Sequence, residues 1–303
     1  MLALAVCASA QAVTIKDAAG RDVTVEDASR IVSIGGAVTE ILYALGLEKQ
    51  VVAVDVTSLY PLRALAEKPN VGYMRALSPE GVLGLNPSLV LATEGSGPKE
   101  AVAVLQAAKV PFVMVPDPYS GEGIVEKLRL IAAATGTQER GACLAARVRT
   151  DLASVAALRK RIEKPVKVLF ILSFVNGRAM VAGSHTAADG IIKLAGGANV
   201  ITEYEGYKPV NDEAIIAANP DVVLAMDRGP GSLTAETVFA NAALGATSAG
   251  AHKAFIAMDG LYLLGFGPRT ARAARDLAAK FYPALHAEAL PSETTGAAAQ
   301  DCR

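Results

Sequence analysis

The sequence predicts an α/β protein of two similar lobes, each a mainly parallel sheet with helices. Three observations predict it. Short apolar runs alternate with helical stretches along the chain, the pattern of parallel sheets covered by helices. One segment occurs twice. A single long helical stretch, Gln138 to Glu163, lies between the two copies. Ser78 to Thr93 (SPEGVLGLNPSLVLAT) matches Asn211 to Met226 (NDEAIIAANPDVVLAM). Glu80 aligns with Glu213, and Asn86-Pro87 aligns with Asn219-Pro220. In both copies a Glu opens a short amphipathic helix, Asn-Pro closes it, and a buried strand follows.

The elements follow in chain order. Val13 to Val25 alternates apolar and polar around Ala19-Gly20, a hairpin signal. Arg30 to Ile34 reads as a strand ending at Gly35-Gly36, with a helix over Thr39 to Leu45. Val51 to Val54, Leu89 to Ala92, Phe112 to Val115, Val166 to Leu172 and Val222 to Ala225 read as buried strands. Gln138 to Glu163 carries no Pro and keeps apolar residues at helical spacing until Lys164-Pro165 stops it. The expected organisation is an N-terminal lobe over 13–137, a linking helix over 138–163, a C-terminal lobe over 164–290 and a disordered tail over 291–303.

The 303 residues suit two lobes, and 52% apolar content supplies two cores. Aromatics are only 5% and Trp is absent, so those cores are aliphatic. Lys and Arg total 29 against 30 for Asp and Glu, a balance that attracts neither nucleic acid nor anionic membrane. Residues 1–12 (MLALAVCASAQA) read as the end of a signal peptide with an A-x-A cleavage site, so export to the periplasm is expected. Val6 before Cys7 argues against a lipobox. Cys143 and Cys302 remain, as a disulfide or as one buried and one tail thiol.

IVSIGGAVTEILYALG, VGYMRALSPEGVLGLNPSLVLAT and MDGLYLLGFGPRTARAARDLA resemble the periplasmic haem-binding proteins of bacterial haem ABC importers. More broadly they resemble the helical-backbone class of substrate-binding proteins, which also serves cobalamin and ferric siderophores. The resemblance spans about Arg30 to Pro283. It implies two α/β lobes on one rigid helix, ligand in the cleft between them, and monomeric delivery to an inner-membrane ABC permease dimer. It also implies that Glu80 and Glu213 dock on Arg residues of that permease. Stabilisation of a helix N-terminus explains the same carboxylates without a partner.

Tyr73 is the expected iron ligand. Ferric haem is a hard cation, and phenolate is an axial haem ligand. A free phenol ionises near ~10, so a neighbouring cation helps, and Arg75 stands two residues on. The matching second-lobe segment, Glu203 to Val210, carries Tyr204 and Tyr207 as packing or ligating aromatics. Haem propionates need cations. Arg228, after the second repeat strand, is the first candidate unless Asp227 pairs with it, and Lys208 is the second. His185 is either a second iron ligand or a structural residue before a helix capped by Ser184 or Thr186. Tyr262 and Phe266 are flat contacts for the ligand or core residues.

The alternative cargoes are a ferric siderophore and cobalamin. Siderophore sites usually need several Arg residues or many aromatics with Trp, and this chain has no Trp and few cleft Arg candidates. A bare metal ion is disfavoured by only three His residues, far apart. A haem- or nucleotide-dependent enzyme is the alternative of another class. No G-x-S-x-G, G-x-x-x-x-G-K-[ST], H-E-x-x-H or complete G-x-G-x-x-G occurs. Gly35-Gly36 hints at a phosphate loop but reads better as a tight turn.

Overall fold

The computed structural model describes residues 12–285 and Cys302. Residues 1–11 of the expected signal segment, Cys7 among them, His286 and all of the expected tail except Cys302 lie outside the described residues. Two compact units emerge, one built from residues up to 117 together with 126–145, the other from 118–125 and the residues from 146 on. Cys302 belongs to the first.

Unit 1 opens with a hairpin, β1 (Val13–Lys16) and β2 (Asp22–Val25), paired antiparallel as the alternation predicts. β3 (Ile31–Ile34), α1 (Gly36–Ala44), β4 (Val51–Val54), α2 (Leu62–Glu67), α3 (Pro79–Leu83), β5 (Leu89–Thr93), α4 (Lys99–Ala107) and β6 (Phe112–Val115) follow. The sheet runs β4-β3-β5-β6 and every pair in it is parallel. All four residues of β3 and all five of β5 are buried. Both pleat faces are therefore covered, which is why these strands read as continuous apolar runs rather than alternating ones. One face holds Val32, Ile34, Val90 and Ala92 against Val82 of α3 and Leu105 of α4.

The hairpin is pinned to β6 by a buried carboxylate. Asp17 accepts from the backbone N–H of Ala19 and Arg21, each at 3.0 Å, and from Met114 N–H at 3.3 Å. The Arg21 guanidinium pairs with it at 2.5 Å and donates on to the Phe112 carbonyl at 2.8 Å.

Two helices carry the chain between the units: α5 (Gly121–Ala134), divided after 125, and α6 (Gln138–Arg159), divided after 145. The long helix starts where the sequence predicts. It ends four residues early, because Lys160 and Arg161 form a turn before Pro165 is reached. The fully buried Lys127 of α5 pairs with Asp117, just beyond β6, and a buried ammonium requires such a partner. Of the two readings left open for the cysteines, the structure has the disulfide: Cys143 of α6 bonds Cys302, with Cα atoms 5.6 Å apart. Cys302 is buried, which corrects the reading of a free tail thiol.

Unit 2 contains β7 (Lys167–Val175), β8 (Arg178–Ala182), α7 (Ala187–Leu194), β9 (Ala198–Asn199), β10 (Tyr207–Pro209), α8 (Asp212–Ala218) and β11 (Val222–Asp227). It continues with α9 (Ala235–Phe239), α10 (Ala242–Gly245), α11 (Ser248–His252), β12 (Phe255–Asp259), α12 (Gly260–Leu264) and α13 (Thr270–Phe281). Its sheet runs β10-β8-β7-β11-β12, with β9 added to β7. β11 is parallel to β7 and β12; β8 and β10 are antiparallel additions. Leu169, Ile171, Val181 and Val223 form one core with Ile215 of α8 and Val238 of α9.

The internal repeat is a repeat of geometry. Ser78 caps α3 by accepting from Gly81 N–H at 3.2 Å, and Asn211 caps α8 by accepting from Ala214 N–H at 2.9 Å. Asn86 and Asn219 then take the left-handed conformation, at φ 49° and 40°. Asn tolerates that region better than most residues, and each turn delivers the chain through Pro into a buried strand.

Candidate functional site

In an open parallel sheet, ligands bind beyond the carboxyl ends of the strands. In unit 1 three loops meet there. The segment before Tyr73 runs beside the end of β4: Val54 N–H donates to the Pro69 carbonyl, Val71 N–H to Val54, and Val56 N–H to Gly72, each at 2.9 Å. On its other side the loop after β5 grips it. Gly97 N–H donates to the Met74 carbonyl and Leu77 N–H to the Gly97 carbonyl, each at 2.9 Å. Gly72, at φ 89°, makes a bend that a side chain would oppose. The backbone under Tyr73 is thus fixed from both sides.

Side chains alternate along this loop. Met74 packs against the unit 1 core, while Tyr73 and Arg75 on either side are exposed, Tyr73 by 43%. Among the described residues neither the Tyr73 hydroxyl nor the Arg75 guanidinium has a partner. The neighbouring loop after β4 exposes Val56, Leu59 and Tyr60.

Beneath that loop lies a polar network that sequence reasoning missed. Asp55 is fully buried and, among the described residues, forms no ion pair. It accepts from Gly35 N–H at 2.9 Å, Thr57 N–H at 3.2 Å, Thr57 Oγ1 at 2.8 Å and Ser58 Oγ at 3.1 Å. Thr39 Oγ1 lies 2.7 Å from both Ser33 Oγ and Ser58 Oγ, and Gly36 N–H donates to Thr57 Oγ1 at 2.9 Å. The Gly35-Gly36 turn is therefore occupied by a protein carboxylate. A side chain at Gly35 would meet Thr93 Cβ at 2.9 Å, so the turn reading of these glycines stands. An Asp just past a strand reads as surface in the sequence. The small hydroxylated residues around it, Ser33, Thr39, Thr57 and Ser58, were the available signal.

In unit 2 the segments 183–185 and 204–206 are laced together. Gly183 N–H donates to the Gly206 carbonyl and Ser184 N–H to the Tyr204 carbonyl, each at 2.8 Å, and Gly206 N–H returns to Ser184 at 3.0 Å. His185, at φ 55°, places Nδ1 3.3 Å from Glu205 Oε1, and both side chains are exposed. Thr186, not Ser184, caps α7 by accepting from Asp189 N–H at 3.1 Å. Tyr204 packs on the unit 2 core, with its hydroxyl 3.4 Å from the Val181 and Lys208 carbonyls. Burial, and then the Glu203 charge, push its phenol above the ordinary value, which favours the protonated form. The Lys208 ammonium stands 4.8 Å from the Tyr204 ring centre, a cation–π contact. Tyr207 is half-buried in β10, edge-on to Phe170 at 6.3 Å between ring centres.

Arg228 follows β11 at the carboxyl edge of the unit 2 sheet and is exposed. Its Nε lies 2.9 Å from the Met226 sulfur, and it does not pair with Asp227. That carboxylate instead accepts from Gly229 N–H at 2.8 Å and Ser232 Oγ at 2.9 Å, which hold its pKa below the ordinary value. Phe266 is core, buried and edge-on to Tyr119. Tyr262 is half-buried; its hydroxyl donates to Asp276 at 2.7 Å and the Arg269 guanidinium lies 5.2 Å from its ring centre. Glu80 and Glu213 occupy the first turns of α3 and α8, exposed and, among the described residues, without an ion-pair partner.

Two α/β units linked through helices, with loops gathered at the carboxyl edges of their sheets, have the architecture of a substrate-binding protein. The chain belongs to the family described as Periplasmic binding protein, whose model matches residues 31–261. It is similar to the periplasmic heme-binding protein RhuT from Roseiflexus sp. RS-1, solved in apo form, with 41% identity and TM-score 0.80 over 86% of this chain and 100% of that one. It is also similar to the periplasmic heme-binding protein BhuT, solved with two hemes, with 38% identity and TM-score 0.79 over 84% and 98%. Among curated relatives, an uncharacterized ABC transporter substrate-binding lipoprotein of Bacillus subtilis, YvrC, is 29% identical over 89% of this chain and 86% of its own. A vitamin B12-binding protein of Yersinia pestis is 27% identical over 65% and 69%.

Proposed function

We propose that this protein binds ferric haem through the Tyr73 phenolate and delivers it to an inner-membrane ABC permease dimer. The observation that carries the reading is an exposed phenol two residues from a guanidinium, both without a partner among the described residues, on a loop fixed at the carboxyl edge of a parallel sheet. A phenol without a hydrogen-bond partner is free to lose its proton to ligation. Ferric iron supplies the driving force, and the Arg75 guanidinium two residues on can donate to the ligated oxygen. Two periplasmic heme-binding proteins at 38% and 41% identity support this cargo. Arg228, which forms no ion pair among the described residues, is the first propionate partner in this reading. Lys208 and His185 are secondary contacts. Tyr204 serves packing rather than ligation. Glu80 and Glu213, equivalent carboxylates on equivalent helices, are the permease contacts, and such a pair suits a two-fold partner. The Cys143–Cys302 disulfide supports an oxidising compartment, and hence export.

Cobalamin is the second reading, favoured by the vitamin B12-binding relative. Equilibrium titration of the purified protein with haemin, cobalamin and a ferric siderophore separates them. The haem reading expects submicromolar haemin binding and none of the others in that range. Cobalamin binding without haemin binding would overturn it.

A further inference from the structure

The loop after β4 is unusual in what it shows to solvent. Large apolar residues that are exposed number eight among the described residues, and five of them fall between Val56 and Tyr73. Val56, Leu59 and Tyr60 are 36%, 46% and 41% exposed, and Val56 N–H is bonded to the Gly72 carbonyl, next to Tyr73. A loop that only connects elements would carry polar residues here, and clustered exposed apolar residues mark contact surfaces. The loop is also rigid where it matters. Thr57 and Ser58, which lie between the exposed Val56 and Leu59, are anchored on the buried Asp55 carboxylate at 2.8 Å and 3.1 Å. An anchored apolar surface loses little entropy when a ligand covers it.

We propose that Val56, Leu59 and Tyr60, held outward by the Asp55 network beside Tyr73, form the apolar platform that receives the flat face of the porphyrin ring. This rests on the haem reading and adds the determinant of cargo class. Ligation by Tyr73 recognises iron; the platform recognises a planar, conjugated, apolar macrocycle whether or not it holds metal. A cargo with a polar periphery would leave these side chains unsatisfied, so the platform selects against it.

The test uses haemin and iron-free protoporphyrin IX, titrated against the full-length mature protein by absorbance and by fluorescence. Leu59→Ser, and the pair Val56→Ser with Leu59→Ser, weaken protoporphyrin binding about tenfold or more, the effect of removing one or two covered aliphatic side chains. At saturating haemin both variants keep the wild-type absorption spectrum, because the iron ligand is untouched. Tyr73→Phe alters the haemin spectrum and leaves protoporphyrin affinity within threefold. Val104→Ser, an equally exposed apolar residue on α4, changes neither affinity. The substituted residues are exposed, so folding is retained, and a matching melting temperature verifies it. Unchanged porphyrin and haemin affinities in both loop variants, or a wild-type protein that binds haemin but no metal-free porphyrin, would overturn the platform and leave the haem reading standing. Failure of the wild-type protein to bind haemin would instead sink the haem reading itself.

Discussion

Reducing the Cys143–Cys302 bond should destabilise unit 2 more than unit 1, although both cysteines lie in unit 1. The bridge joins residues separated by 159 positions, and between them lies nearly all of unit 2. If unit 2 unfolds while unit 1 stays folded, its chain is held at both ends, by α6 and by the disulfide. The loop-closure model gives about 5 kcal/mol for a ring of that size, and measured losses on removing native bridges are about 2–5 kcal/mol. For a unit of this length each kcal/mol moves the midpoint by about 2–4 °C, so a drop of roughly 4–20 °C is expected. Scanning calorimetry of the oxidised protein, the reduced protein and Cys302→Ser measures it. The reduced protein and the variant should agree, with the lower-melting transition belonging to unit 2. Two free thiols in the purified oxidised-compartment protein, or a Cys302→Ser melt that overlays the wild type, would refute the reasoning.

Two further outcomes follow from buried groups. Asp55→Ala strands the Gly35 N–H and the Thr57 and Ser58 hydroxyls in a dry site, and should cost about 2–4 kcal/mol in urea unfolding. A cost under 0.5 kcal/mol would show that the network is solvated. Tyr262 gives a pH dependence: burial first, and then its hydrogen bond to Asp276, raise its pKa above the unfolded value near ~10. The folded state therefore keeps a proton that the unfolded state loses. This contribution is complete below pH ~10 and fades as pH rises beyond it. Tyr262→Phe should lower the melting temperature at pH 8 and make its fall between pH 9 and 11 shallower. An unchanged slope would contradict the assignment.

Much of the fold was legible because local chemistry and tertiary role agree. β4 and β6 fall on the predicted residues, since an apolar run bounded by polar turns has one economical use in a doubly covered sheet. The repeat was readable because Ser78/Asn211 and Asn86/Asn219 do the same work at the ends of α3 and α8. What escaped depends on partners distant in sequence. β8 and β10 are held by cross-strand pairing, and three residues of β10 carry no periodic signal. Asp55 draws its donors from Gly35 as well as from its own loop. The disulfide joins a mid-chain helix to the last few residues.

Of the expected ligand groups, the structure tells apart those committed to the protein from those left open. Tyr204 spends its hydroxyl on backbone carbonyls and its ring on the core, whereas Tyr73 commits neither. From the sequence Tyr73 is the expected ligand, while Tyr204 is left as a packing or ligating aromatic. Burial and hydrogen bonding separate them. The same holds for Arg228, whose neighbour Asp227 is engaged by its own turn instead.

Resonance Raman and absorption spectra of the haemin-loaded protein and its Tyr73→Phe variant test the central assignment most directly. The account predicts phenolate vibrations and a high-spin ferric charge-transfer band in the wild type, both absent from the variant. Identical spectra would contradict it, because the oxygen on the iron would then come from elsewhere.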